Sequence, residues 1–521
     1  MRSVLTGCTL VAESGVAPEN CVNGIDDDLD GRIDCADLDC GGGGACPSGE
    51  VDPRTLSGTC TGTWRSSREG THCEPWGPND WSECDNPTLH RPTTAVGCVP
   101  IGDERCRGPS GLVPGDVFLD TAAAPGGDGT LTAPFDSVAD ALAAVADRGT
   151  IVFRGTIALP PIERSISFAG VCPAESVITG GMQIDGTNDG YLENLAIHHE
   201  DGVALRIGVG TRRTLDQVGV RGELVVAGGF VTAHRSSFVG AHQIEGATDV
   251  NDMGGTSSSF GSLIVDHSTF GTLLGQAEPC LTASGSFVTV DDVVFEKCPA
   301  TAIAVSEVVV PDVPPSPTSI FIDHSVFTNL SGVGVESEQT SGLVEIADSL
   351  VRRSRVNEEP FLRMRAGQGS LRGTVLQDGD GPAVDVSGGS LQLEDVLITG
   401  ASVRVSGGQL GVEQVELTGF PSYAIDVTAG TVTLEGLRLR GRDSDGGVRA
   451  AAGTELAALD FVFEEPGVCG FELEGGVTLD VSDGVIAGAD AGFCVPAGVY
   501  LPDEFSQRID TTLTASPVDE R

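Results

Sequence analysis

Val288-Thr-Val-Asp-Asp-Val-Val-Phe295 decides the fold. It carries apolar residues at positions 1, 3, 6 and 8 and a polar pair at 4 and 5. The same eight-residue unit, with an apolar or small residue at 6, returns as Ile320-Phe-Ile-Asp-His-Ser-Val-Phe327, Leu391-Gln-Leu-Glu-Asp-Val-Leu-Ile398 and Val432-Thr-Leu-Glu-Gly-Leu-Arg-Leu439. With its last position as anchor, the series runs Ile197, Val220, Phe238, Phe270, Phe295, Phe327, Val351, Leu376, Ile398, Leu417, Leu439, Phe461, Ile486. A mean step of about 24 residues is one coil of a three-sided parallel solenoid, and the longer steps leave room for surface loops. Positions 1–3 and 6–8 read as short strands with alternate side chains inward.

Between those strands the chain must bend. Position 5 holds residues that tolerate a left-handed backbone: Asn194, Asp292, Asp348, Gly373, Asp395, Gly436 and Asp483. His267 and His324 fall in the same slot beside Asp266 and Asp323, so these Asp-His pairs read as bend residues rather than as catalytic ones.

A third strand follows each unit, as in Ala383-Val-Asp-Val386, Ser402-Val-Arg-Val405 and Ala424-Ile-Asp-Val427. Its outward residues form a predicted column: Ala304, Gly334, Arg363, Asp385, Arg404, Asp426, Arg449 and Glu472. Six consecutive coils then alternate in charge, in rows about 4.8 Å apart. In the same register Cys469 and Cys494 fall on neighbouring coils at disulfide distance, and Cys280 and Cys298 are a second candidate staple. Cys172 is expected to reach back to the front of the chain.

The formal charge of −45 excludes nucleic acid and anionic membrane surfaces as natural partners and favours dissolved cations. Fifteen cysteines indicate an oxidising compartment, hence a secreted or cell-surface protein. Nine of them lie between Cys21 and Cys106, the mark of a stapled, loop-rich front end. No apolar run is long enough to cross a membrane.

Asp116-Val-Phe-Leu-Asp120, a helix near Asp136–Arg148 and a strand Thr150-Ile-Val-Phe-Arg-Gly155 precede the repeats. Asp136 or Ser137 can cap that helix, Val138, Ala141, Leu142 and Val145 form its apolar face, and Gly149 ends it. This order resembles the opening of pectate-lyase-like right-handed parallel β-helix proteins, in which a helix plugs the end of the solenoid. The resemblance implies a substrate groove along the third strand, with Asp385 and Asp426 as candidate catalytic carboxylates. Two coils apart, they stand at about 9.6 Å, near the upper limit for an inverting pair. Arg404 lies between them and favours charge pairing over a general acid. The adjacent aspartates of polygalacturonases are missing, as is the carboxylate cluster a calcium-dependent lyase needs. Arg363, Asp385, Arg404, Asp426, Arg449 and Glu472 are therefore ligand-binding candidates, and of these Asp385, Arg404 and Asp426 are also the catalytic candidates.

The front end carries the sharpest motif. Counting Asp26 as position 1, carboxylates fall at 1, 3, 5, 9 and 12 as Asp26, Asp28, Asp30, Asp34 and Asp37, with Gly31 at the turn and the Arg32 carbonyl at 7. That oxygen shell suits Ca²⁺, in a loop similar to those of dockerins and thrombospondin type 3 repeats. Trp81-Ser-Glu-Cys84 faintly resembles a thrombospondin type 1 module, and Trp64, Trp76 and Trp81 read as the core of a small disulfide domain. Leu5-Thr-Gly-Cys8 resembles a bacterial lipoprotein processing box, with Cys8 the lipidated residue.

The sequence therefore predicts an all-β, single-stranded right-handed parallel β-helix of about 13 coils. Its predicted parts are a lipobox-like segment and linker (1–20), a calcium motif (21–46), a Cys/Trp module (47–110), a capping strand and helix (111–160), the β-helix (161–500) and a tail (501–521). The favoured function is a monomeric extracellular scaffold or adhesion protein stabilised by Ca²⁺ and disulfides. The alternatives are binding of polysaccharides or cell-surface glycans, or a polysaccharide lyase or hydrolase.

Overall fold

In the computed structural model, residues 111–496 are described apart from 187, 251–255, 272–276, 308–315, 354–357, 378, 380, 442–445 and 490, together with 65–66, 73–74, 89–90, 98–101, 106 and 509–510. The chain divides into two compact units, Met1–Asn79 and Asp80–Arg521. In the first, Arg65–Ser66 pairs antiparallel with Cys73–Glu74. The second is a parallel β-solenoid of about 13 turns with almost no helix.

Three ladders of short strands run along it. The first face includes Gly261–Asp266, Ser286–Asp291, Thr318–Asp323 and Gly342–Ala347, each paired in parallel with the next. The second includes Ser237–Val239, Thr269–Gly271, Val294–Glu296 and Val326–Leu330. The third runs through Thr301–Ser306, Val333–Ser337, Leu362–Met364, Pro382–Val386, Ser402–Val405, Tyr423–Val427, Gly446–Ala450 and Cys469–Leu473. Every strand pairs with its counterpart one coil away, so equivalent sequence positions become vertical rows.

The bends make that possible. Asn194, His267, Asp292, His324, Asp348, Asp395 and Gly436 all have φ between 43° and 62°, the left-handed conformation that turns the chain without closing a hairpin. A second left-handed position follows the anchor by two residues, at Lys297, Asn329, Gly400, Gly419 and Glu465.

Inward anchors stack to fill the core. Phe238, Phe270, Phe295 and Phe327 lie in four successive coils with rings 4.8–5.1 Å apart, all fully buried. The strand spacing sets that distance, which is also a good offset-stacking distance. The anchors pair as expected from Ile197 to Leu439, but Leu439 pairs with Phe463, not Phe461. Phe461 instead faces Gly484. The ladder also starts earlier, since Ile157 pairs with Ile178 and Ile178 with Ile197.

The helix is shorter than expected, Val138–Ala144, because Val145 turns to extended backbone at ψ 133°. Ser137 is its N-cap, and the Arg164 guanidinium donates to the carbonyls of Leu142 and Val145 at 3.2 Å. Ala141 and Val145 bury against the solenoid core. Strands Val117–Asp120 and Thr150–Ile157 join the ladder ahead of the repeats, and Ile509–Asp510 pairs with Gly484–Val485 at the far end. One long step, Phe238 to Phe270, carries the antiparallel hairpin Ala247–Val250/Thr256–Ser259.

Three disulfides join described cysteines to one another. Cys106–Cys172 ties the segment before residue 111 to the first coils. Cys280–Cys298 and Cys469–Cys494 join neighbouring coils, with Cα separations of 5.7 and 5.8 Å. Cys8, the Asp26–Asp37 loop with Asp28, Asp30, Arg32 and Asp34, and the three tryptophans lie outside the described residues.

Candidate functional site: the charged third face

The third-face strands alternate strictly, with Val384 and Val386 inward and Asp385 outward. Register places Arg363 beside Asp385, then Arg404, Asp426, Arg449 and Glu472 in succession. All six predicted residues therefore stand in one row. The residue before them is not Gly334. Ala304 pairs with Glu336, and Glu336 with Arg363, because the strand runs on to Ser337. Gly334 lies against the Phe361 ring, where a Cβ would stand 2.1 Å from it. The correction lengthens the alternation: seven coils, Glu336 to Glu472, carry charges of strictly alternating sign.

The groups of this row are largely engaged with one another. Arg449 donates Nε and Nη2 to both Asp426 oxygens, each at 2.8 Å. That bond holds the Arg449 guanidinium even further above its usual range, against the effect of partial burial. The same guanidinium lies 4.9 Å from the centre of the Tyr423 ring, and the Tyr423 hydroxyl donates to Glu472 at 2.6 Å. Tyr423 thus bridges two coils, a role that a pattern of inward and outward positions does not reveal. Arg363 reaches Glu336 at 3.3 Å and Asp385 at 3.9 Å, and also pairs with Glu359. Arg365 adds a 2.8 Å bridge to Glu336. Arg404 is exposed, and among the described residues it makes no ion pair within 4.0 Å. Asp385 keeps one oxygen, Oδ1, buried without a hydrogen-bond partner.

A second polar strip follows the bends between the first and second faces. His234, Asp266, Asp291 and Asp323 pair in register as one row. His267, Asp292 and His324 follow them in the chain. His234 Nδ1 lies 2.7 Å from Asp266, His267 Nε2 3.3 Å from Asp292, and His324 Nδ1 3.1 Å from Asp323 and 3.8 Å from Asp291. The hydrogen bond to Asp323 lifts His324 to about 9, against its partial burial. Asp291 is raised as well, first by burial and then by the neighbouring carboxylates of Asp323 and Asp292.

Beneath this strip runs a buried hydroxyl ladder. Ser236 accepts from the Val218 N–H, Ser268 from Ser236, Ser325 from Val293, and Ser349 from Ser325. Each of these hydroxyls donates to the carbonyl two residues earlier in its own coil, which satisfies bend amides that would otherwise be orphaned. The signal was present as the small residue at position 6 in Asp-His-Ser.

A cavity of about 100 Å³ lies on the second face, beneath Ile101 and between Ala196, Gly219, Ser237, His198 and Arg221. It is well below the roughly 300 Å³ of a small-molecule site.

Comparison with known proteins adds little to this geometry. No family matches the sequence, and no curated protein matches it. Among solved structures, the chain is similar to a crystal structure of the pectate lyase Pel9A, at 11% identity over 73% of this chain and 80% of that one, with a TM-score of 0.12. At that score the likeness carries no argument. The parallel solenoid rests on this chain's own strand register.

Proposed function

We propose that this protein is a non-catalytic extracellular solenoid, a surface scaffold or adhesion module stapled by disulfides and stabilised by Ca²⁺ at its Asp26–Asp37 loop. One observation carries the reading. On the face where a β-helix enzyme would keep its acid and base, most of the charges are taken up in ion pairs, with both oxygens of Asp426 held by Arg449 and Arg363 shared among Glu336, Glu359 and Asp385. A carboxylate so held stays ionised and has no proton to give as a general acid. Such pairing fixes the register of neighbouring coils and keeps a broad sheet face hydrated.

A second reading, recognition of an acidic glycan, draws on Arg404, the exposed arginine of the row with no ion pair among the described residues. Incubation of the full chain with a panel of acidic polysaccharides separates the readings. The scaffold reading expects neither product release nor retention on the glycans. Retention abolished by Arg404→Ala would establish glycan binding instead. Product release abolished by Asp385→Ala or Asp426→Ala would establish an enzyme.

A further inference from the structure

The two polar rows of this solenoid obey opposite rules. On the third face, from Glu336 to Glu472, each coil reverses the sign of the one below. Along the bends Asp266, Asp291 and Asp323 stack like upon like, in direct register on three successive coils. Carboxylates about 4.8 Å apart repel and destabilise a sheet unless a cation lies between them. Imidazoles stand beside these carboxylates: three of the chain's eight histidines, His234, His267 and His324, project here.

We infer that Asp291, Asp323 and His324 form a binding site for a borderline divalent cation of the Zn²⁺, Co²⁺ or Cu²⁺ class. Their donor atoms, one from each residue, all lie within 4.8 Å of one another. A tetrahedral ion with bonds of about 2.1 Å holds its ligands about 3.4 Å apart. The two distances from His324 Nδ1, 3.1 Å to Asp323 and 3.8 Å to Asp291, bracket that value. The bend creates the site: the left-handed backbone of His324, φ 43°, turns its side chain back over the carboxylates of its own coil and the coil below. Half of each aspartate side chain and about a third of the histidine remain exposed, so water can fill the other coordination positions.

The donor set also selects the metal. Ca²⁺ and Mg²⁺ take oxygen shells and gain little from an imidazole, whereas one nitrogen with two carboxylates suits the later first-row ions. Further along the same row Glu394, Glu413 and Glu435 also stack in register, but they bring no nitrogen. They form a built-in comparison.

The test uses the full chain in excess Ca²⁺, so that oxygen-only sites are filled. Zn²⁺ affinity is read by calorimetry, and nitrogen coordination by the electron paramagnetic resonance of bound Cu²⁺. His324→Asn keeps a residue that tolerates the left-handed bend, and Asp323→Asn keeps the side-chain shape. Both are expected to weaken Zn²⁺ binding at least tenfold, and His324→Asn to remove the nitrogen coupling. Glu394→Gln with Glu413→Gln is expected to change neither. Wild-type affinity in His324→Asn and Asp323→Asn variants that melt like the parent would overturn the assignment, as would wild-type protein with no nitrogen-coordinated Cu²⁺.

Discussion

Arg449 lies one coil above Asp426 and holds both of its carboxylate oxygens at 2.8 Å, the best-formed contact in the charged row. Both side chains are partly exposed, so the pair contributes about 1 kcal/mol rather than the several of a buried one. A double-mutant cycle with Asp426→Asn and Arg449→Gln, read from urea midpoints, should return a coupling of that size. Exchanging the two residues should do worse than removing either. The exchange preserves the pair but sets an arginine beside Arg404 and an aspartate beside Glu472.

His242 gives the fold a pH dependence of definite sign. Fully buried against Phe238 and Phe270, it accepts the Leu224 N–H at Nδ1, and its Nε2 has no partner. Burial pushes its pKa down to about 3 from 6.5. The folded state therefore requires the neutral ring. Stability from this residue is intact above pH 6.5 and falls by about 1.4 kcal/mol per unit as pH drops towards 3. Against His242→Leu, wild type should be the more stable at pH 7 and should lose that advantage below about pH 5. Unfolding midpoints measured across that range check it; a parallel shift of both proteins would refute it.

Phe295 stacks on Phe270 at 5.1 Å and on Phe327 at 4.8 Å, fully buried. Phe295→Ala should cost about 3–5 kcal/mol. In a solenoid, where each coil touches only its neighbours, that loss should be local. Hydrogen exchange should accelerate first in coils 270–327, well before residues 391–440 respond.

Cys469–Cys494 closes a loop with a sequence separation of 25 at the end of the third face. Replacing both cysteines by alanine should cost about 3 kcal/mol and release strand Ala491–Cys494. Amide protection there should fall while that of Pro382–Val386 is unchanged.

The fold was legible because its repeat is dictated by one rule, an inward residue every coil, and thirteen anchors made the period plain. Both placements that the structure corrects, Glu336 for Gly334 and Phe463 for Phe461, are slips of two residues. A slip of one would have turned apolar residues outward and betrayed itself. A slip of two keeps every side chain on its proper face, so the pattern cannot register it. Loop length decides such cases, and loops carry no period. The charged row was likewise legible as alternation, but Tyr423 was not, because its bridge depends on ring placement rather than on parity. The bend histidines were assigned correctly as left-handed turn residues. What that reading missed is that stacking turns also stacks their side chains, which makes neighbours of residues as distant in the chain as His324 and Asp291.

The sign reversal from Glu336 to Glu472 also bears on how such a chain can change length over generations. Deleting one coil from that stretch would bring two like charges into contact, while deleting two would restore the pattern across the junction. The same holds for duplication. Growth and shrinkage of this part of the solenoid are therefore expected to proceed in pairs of coils, a parity rule imposed on the gene by the ion pairs of the protein.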